Sequence, residues 1–193
     1  TQFVAFKQLN LGDIIGAEGT LFTTQKGEKS LVVKEWTMLA KALEQPPEKF
    51  HGLADQEDCY RRRYVDLMTN DETRARFYTR SRLLMEIRKY LWSKGFVEVE
   101  TPILQNQAGG AAAKPFFSHF NALDQDCVMR IAPELYLKRL LVGGMNKVFE
   151  LGKDFRNEGI DRTHNPEFTV CEIYEAYGDR TSMEAIMEGL LPH

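Results

Sequence analysis

Three cysteines in 193 residues, Cys59, Cys127 and Cys171, form no pair with metal-ligand spacing, and their odd number argues against a disulfide framework. Free thiols in a reducing compartment are expected. Histidine is as sparse. His51, His119, His164 and His193 are scattered, which speaks against a metal site of His and Cys. No stretch approaches the roughly 18 apolar residues of a membrane span. The first residues, TQFVAFKQ, lack the long apolar core of a signal peptide. A cytoplasmic protein with no membrane partner is expected. The net charge of −3 gives no basic footprint for the molecule as a whole. Internal repeats are absent, as are a Ser-His-Asp or Cys-His set and the strand–helix rhythm of a parallel βαβ fold.

What remains is ordinary globular material, 43% apolar and 27% charged, unevenly spread. Asp58 to Lys94 carries ten Lys or Arg against five acids, whereas Pro166 to His193 carries one Arg against six acids. A basic middle can face a polyanion and an acidic end a cation, although solvated helix faces give the same pattern.

Three zones follow one another. Residues 1–45 hold apolar runs broken by turn signals at Gly12-Asp13 and Lys26-Gly27-Glu28, as in part of a small β-barrel. Residues 46–68 open on Pro46-Pro47 and read as a linker with a short helix toward its end. The triplet Arg61-Arg62-Arg63 there suits nucleic acid, or pairing with acids such as Asp58 and Asp66. Residues 69–193 mix helices and antiparallel-looking strands, so the class is α+β. A helix over 71–94 has Phe77, Leu84, Ile87 and Leu91 on one face and stops at Gly95. Residues 96–101 alternate like a strand that ends at Pro102. MRIAPELYLKRLLVGG contains a second helix, and VFELGKDFRNE and EFTVCEIYEAY are strands.

The densest chemistry lies between and along those last two strands, in FRNEGIDRTHNPEFTVCEIYEAYGD. With period-2 alternation, Arg156 and Glu158 share a face about 6.6 Å apart. Phe168, Val170, Glu172 and Tyr174 share one on the next strand, opposite Thr169, Cys171 and Ile173. If the strands pair, Arg156, Glu158, Phe168, Glu172 and Tyr174 stand on one surface, with Arg162, His164 and Asn165 in the connecting loop. Arg156 offers a donor fork for carboxylate or phosphate. Phe168 offers a stacking face, and Glu172 with Tyr174 can hold an ammonium group. An exposed sheet of surface ion pairs is the alternative reading.

This stretch resembles motif 2 of class II aminoacyl-tRNA synthetases, in the form found in the lysyl-tRNA synthetase family. LWSKGFVEVETPIL resembles motif 1 with its proline, Pro102. GGAAAKPF and RIAPELYLKRL resemble an amino-acid pocket loop and the adjoining helix start, and PPEKFHGLADQEDCYRRRYVDL resembles the connection from an anticodon-binding OB domain. The resemblance covers residues 10–179. It implies an OB-type barrel part over 1–45, a linker over 46–68 and a catalytic domain over 69–193. That domain is incomplete, since nothing after Asp179 resembles motif 3 and Arg180–His193 matches less well.

The activity implied is activation of L-lysine by ATP and transfer to tRNA(Lys), with Mg2+ accompanying ATP. The Mg2+ ligands are expected outside this chain, and a homodimer is implied through motif 1 and Pro102. Arg156 would bridge the lysine carboxylate and the α-phosphate. Glu158, Arg162, His164, Asn165 and Phe168 would contact ATP. Gly110 and Glu134 would hold the α-ammonium of lysine, and Glu172 and Tyr174 would line the rest of its pocket. Two alternatives stay open: a paralogue that activates lysine to modify a protein, and a non-catalytic piece that dimerises or binds RNA.

Overall fold

The computed structural model describes residues 4, 6–47 and 52–192. His51, His193 and part of the linker expected over 46–68 lie outside the described residues. The chain forms two compact units, one up to Thr79 and one from Arg80 onward.

The first unit is built on an antiparallel hairpin, β1 (Ile14–Thr23) with β2 (Lys29–Ala40). Its turn closes where Thr24 N donates to Glu28 O and Gly27 N to Thr24 O, each at 2.9 Å. The strands are longer than the turn-broken sequence suggested, and a register shift at Glu18/Gly19 absorbs the extra twist. Asp13 latches the open end, accepting from Asn10 N, Ala42 N and Lys41 Nζ. The Lys41 bond, with the two amides, pulls its carboxyl down to about 2. Two short helices follow, α1 (Gln56–Arg61) and α2 (Arg63–Thr69). All three arginines of the basic triplet take acidic partners: Arg61 pairs with Glu57, Arg62 with Asp58 and Arg63 with the buried Asp66.

Helix α3 (Asp71–Ser93) starts where Asn70 Oδ1 accepts from Glu72 N and Thr73 N. It stops where Phe96 N reaches back to Leu91 O at 3.0 Å around Gly95. Of its expected apolar stripe, Ile87 and Leu91 enter the core with Tyr90. Phe77 stays exposed, with the Arg63 guanidinium 5.3 Å over its ring.

The second unit centres on a three-stranded sheet in the order β3 (Val97–Glu98), β7 (Lys147–Phe155), β8 (Glu167–Glu175). The β7–β8 pair is antiparallel, but β3 runs parallel to β7 over two residues, so the sheet is mixed. The strand expected over 96–101 shrinks accordingly to Val97–Glu98. One face of the sheet carries Phe149, Leu151 and Ile173. It packs with Ile87, Tyr90, Leu91 and Phe96 and with Met183, Ile186 and Leu190 of α5 (Arg180–Leu190). Tyr90 fixes that helix by donating its hydroxyl to Ile186 O at 2.9 Å. A second sheet, in the order β4 (Leu104–Gln105), β6 (Gln125–Met129), β5 (Phe117–Phe120), leads into α4 (Glu134–Val142). No helix among the described residues is long and apolar enough to cross a membrane, and the three cysteines are free.

Candidate nucleotide and ammonium site

The β7–β8 register pairs Val148 with Tyr174, Glu150 with Glu172, Gly152 with Val170 and Asp154 with Phe168. Directly opposed residues point to the same side of an antiparallel ladder. Tyr174, Glu172 and Phe168 therefore share the face opposite the apolar core with Glu150 and Asp154. Arg156 continues the ladder one step past the strand, its amide donating to Pro166 O at 2.8 Å. Its guanidinium lies 5.1 Å over the Phe168 ring and makes two long bonds, 3.4 Å each, to Ile131 O.

Glu158 departs from the expectation. β7 ends at Phe155, so Glu158 sits in the loop rather than two residues along a strand face. There its Oε1 accepts from Lys114 N at 3.1 Å, while Asn157 N donates to Lys114 O at 2.8 Å. The loop is shaped by Asp161, whose carboxylate accepts from the amides of Thr163 and His164 and faces the His164 ring. Those contacts, led by the Thr163 amide, hold the Asp161 carboxyl well below the usual range. Gly159-Ile160-Asp161-Arg162 is thus loop. A pocket of about 350 Å³ results, lined by Arg156, Glu158, Gly159, Thr163, His164, Asn165 and Phe168. Five of the six residues assigned to ATP line it together. Arg162, exposed on the outer turn, does not.

Farther along the face lies an acidic cluster. Tyr174 donates its hydroxyl to Glu172 Oε2 at 3.0 Å. Burial pushes the Glu172 carboxyl up, the Tyr174 bond partly offsets this, and the charge of Glu134 adds to the rise. Glu134 opens α4 and pairs with Lys138 one turn on. Gly110 abuts it with a φ of +88°. A Cβ there would stand 2.9 Å from Glu134 Cβ and 3.4 Å from its Oε2, so only glycine lets the backbone come this close. Of the five residues assigned to lysine, Glu134, Glu172 and Tyr174 interact electrostatically, Gly110 abuts Glu134, and Arg156 lies apart from them over Phe168. Pro102 stands apart, exposed beside the partly exposed Ile103 and Leu104. Among the described residues, no group of three or more His, Cys, Asp or Glu is placed to hold a metal ion.

Sequence reasoning missed the layer beneath. Arg130, Glu150 and Asp154 are all buried. Arg130 pairs with both acids. Burial drives the Asp154 carboxyl up to about 6 against the pull of Arg130. Alternation along β7 would have placed Glu150 and Asp154 on the site face. No periodic signal marks Arg130, which follows β6 in a short connection.

Residues 55–193 match the family model of class II tRNA synthetases (D, K and N), and the chain belongs to that family. Among curated proteins it is similar to a protein named lysine–tRNA ligase from Lactococcus lactis subsp. lactis (strain IL1403), 56% identical over 188 residues. That match covers 97% of this chain and 38% of the relative. Proteins of the same name from Streptococcus suis (strain 05ZYH33) and Streptococcus mutans serotype c (strain ATCC 700610 / UA159) are 56% and 55% identical over the same shares. The chain spans less than two fifths of the length of these relatives.

Proposed function

We propose that this chain carries part of the active site of a lysine–tRNA ligase, which activates L-lysine with ATP and passes the lysyl group to tRNA(Lys). The observation that carries the reading is the arrangement along one sheet face: an Arg156–Phe168 pocket at one end and Glu172 with Tyr174 at the other, the latter interacting electrostatically with Glu134 of α4. The first fits an adenine ring and an anion, the second an ammonium group. The relatives named lysine–tRNA ligase, at 55–56% identity, agree with it.

In this reading the lysine carboxylate attacks the α-phosphorus. A carboxyl–phosphate bond forms, and the bond to pyrophosphate breaks. No protein nucleophile is needed, so catalysis is positioning plus neutralisation of charge. Arg156 bridges the two anions, Phe168 stacks on adenine, and Glu158, His164 and Asn165 line the rest of the nucleotide site. Binding adenine at Glu158 requires the Lys114 amide to share or yield that carboxylate. Arg162 reaches the outer phosphates only if the loop turns inward. Gly110 and Glu134 receive the α-ammonium, and Glu172 with Tyr174 the remainder of lysine. The described residues do not assemble a Mg2+ site. Pro102 and its apolar neighbours suit a twofold contact in a homodimer, residues 1–45 suit part of an OB domain joined through 46–68 to a catalytic domain from 69, and the setting is the cytoplasm.

The test is lysine-dependent ATP–pyrophosphate exchange by the full-length protein. We expect exchange with lysine and its loss in Arg156→Ala. Exchange driven by aspartate instead of lysine overturns the substrate assignment, and unchanged exchange in Arg156→Ala overturns the site.

A further inference from the structure

We propose that Arg130 is a positioning residue: seated between Glu150 and Asp154 on the same sheet face, it fixes the Arg156 guanidinium and ties it to the Thr101–Ile103 segment. The functional consequence rests on the role given to Arg156 above.

The side chain of Arg130 is 1% exposed, and those of Glu150 and Asp154 are 5% and 0% exposed. Its guanidinium reaches three parts of the fold at once. Nε donates to Lys153 O at 2.9 Å, Nη1 donates to Thr101 Oγ1 at 3.1 Å and Thr101 O at 3.3 Å, and Nη1 also meets Glu150 Oε1 in a short contact. Glu150 in turn accepts from Thr101 Oγ1 at 2.6 Å. The seat exists because residue 152 is glycine. A Cβ there would stand 2.4 Å from Arg130 Nη2.

The main chain of Arg130 is pinned as firmly. Its amide donates to Ile103 O at 2.8 Å, and its carbonyl accepts from Phe155 N at 3.0 Å. The next carbonyl, Ile131 O, is the one that receives Arg156. A displacement of Arg130 therefore acts on Arg156 from both sides, through the amide of the preceding residue and through the acceptor of its guanidinium. Asp154 supplies the second indication. It lies 3.1 Å from Arg130 Nε, yet neither of its oxygens has a hydrogen-bond partner among the described residues. A buried carboxylate in that condition destabilises the fold. What it offers in return is charge: it holds Arg130 from the side opposite Glu150 and faces Arg156 electrostatically.

Two substitutions in the full-length protein separate seat from charge. Gly152→Ala displaces the guanidinium while every ionic partner remains. Arg130→Lys keeps the cation but loses the fork. In both we expect kcat for lysine-dependent exchange to fall roughly ten- to a hundredfold, the scale of an ångström-level misplacement, with KM for lysine changed less than about threefold. In an Arg156→Lys background, Arg130→Lys should cost little more, because the two changes remove one function. Crystal structures should show the Arg156 guanidinium withdrawn from Ile131 O.

Equal losses in both backgrounds, or an unmoved Arg156 with kcat within about twofold of the parent, overturn the proposal. Thr101→Val, which deletes only one hydroxyl of the network, decides the matter if the other variants fail to fold. A severalfold drop in kcat at unchanged lysine KM supports it, and parent-like kinetics overturn it. If the parent shows no exchange with lysine, the functional reading falls by itself, and the crystal structures still decide whether Arg130 sets Arg156.

Discussion

Replacing Asp154 by asparagine should stabilise this fold above neutral pH, although it removes half of a buried ion pair. Burial is the main reason that the Asp154 carboxyl rises from 3.8 to about 6, with Glu172 and Glu150 adding to the rise and Arg130 and Arg156 opposing it. Its folded value thus exceeds its unfolded one. The associated stability is present below about pH 4, is lost as the pH rises through about 6, and is absent beyond. At 1.36 kcal/mol per unit the loss is about 3 kcal/mol. Asparagine has the same shape and no charge to desolvate. Urea titrations of the full-length protein and of Asp154→Asn should coincide near pH 4 and separate by up to about 3 kcal/mol near pH 8, with the variant more stable. A variant less stable by about 1 kcal/mol or more near pH 8 refutes the reasoning, since the attraction to Arg130 would then outweigh desolvation.

Glu172→Gln should leave an ammonium without its half-buried carboxylate and raise the lysine KM roughly a hundredfold, about 3 kcal/mol, with the ATP KM little changed. Equal effects on both substrates in steady-state exchange would contradict a lysine-specific role. Leu91→Ala empties a fully buried position between α3 and the sheet. It should cost about 2–5 kcal/mol in urea unfolding, and a loss below about 1 kcal/mol would show that the core can collapse around the gap.

The legible parts of the fold were those written in local periodicity. β8 alternates cleanly and α3 carries its stop at Gly95, so the existence of α3, β7 and β8 and the facing of β8 followed from the residues alone, whereas Phe77 of the expected α3 stripe stays exposed. The β5–β6 hairpin did not. Its strands are short and mostly exposed, and its turn carries Leu123 and a left-handed Asp124, φ 48°, in place of a glycine signal. Glu158 shows the limit of the same rule. Alternation extrapolates past Phe155, but a ladder ends where the partner chain turns away, and the Pro166 carbonyl already closes it at Arg156.

Arg130, Glu150 and Asp154 were hidden for a different reason. Their significance lies in contacts between residues 20 to 49 positions apart in the chain, among Thr101, Arg130, Glu150 and Asp154. No window of sequence displays these contacts, and charged residues viewed singly read as surface. The motif residues are legible because chemistry must be presented outward at fixed spacing, whereas the residues that hold them are chosen by what happens to lie behind. The pairing of Asp154→Asn with Arg130→Lys tests that distinction. A support retained for stability should weaken the fold when its charge is removed, while one retained for positioning should leave the fold stronger and the reaction slower. The Asp154 carboxylate, ion-paired with Arg130 but accepting no hydrogen bond among the described residues, favours the second outcome.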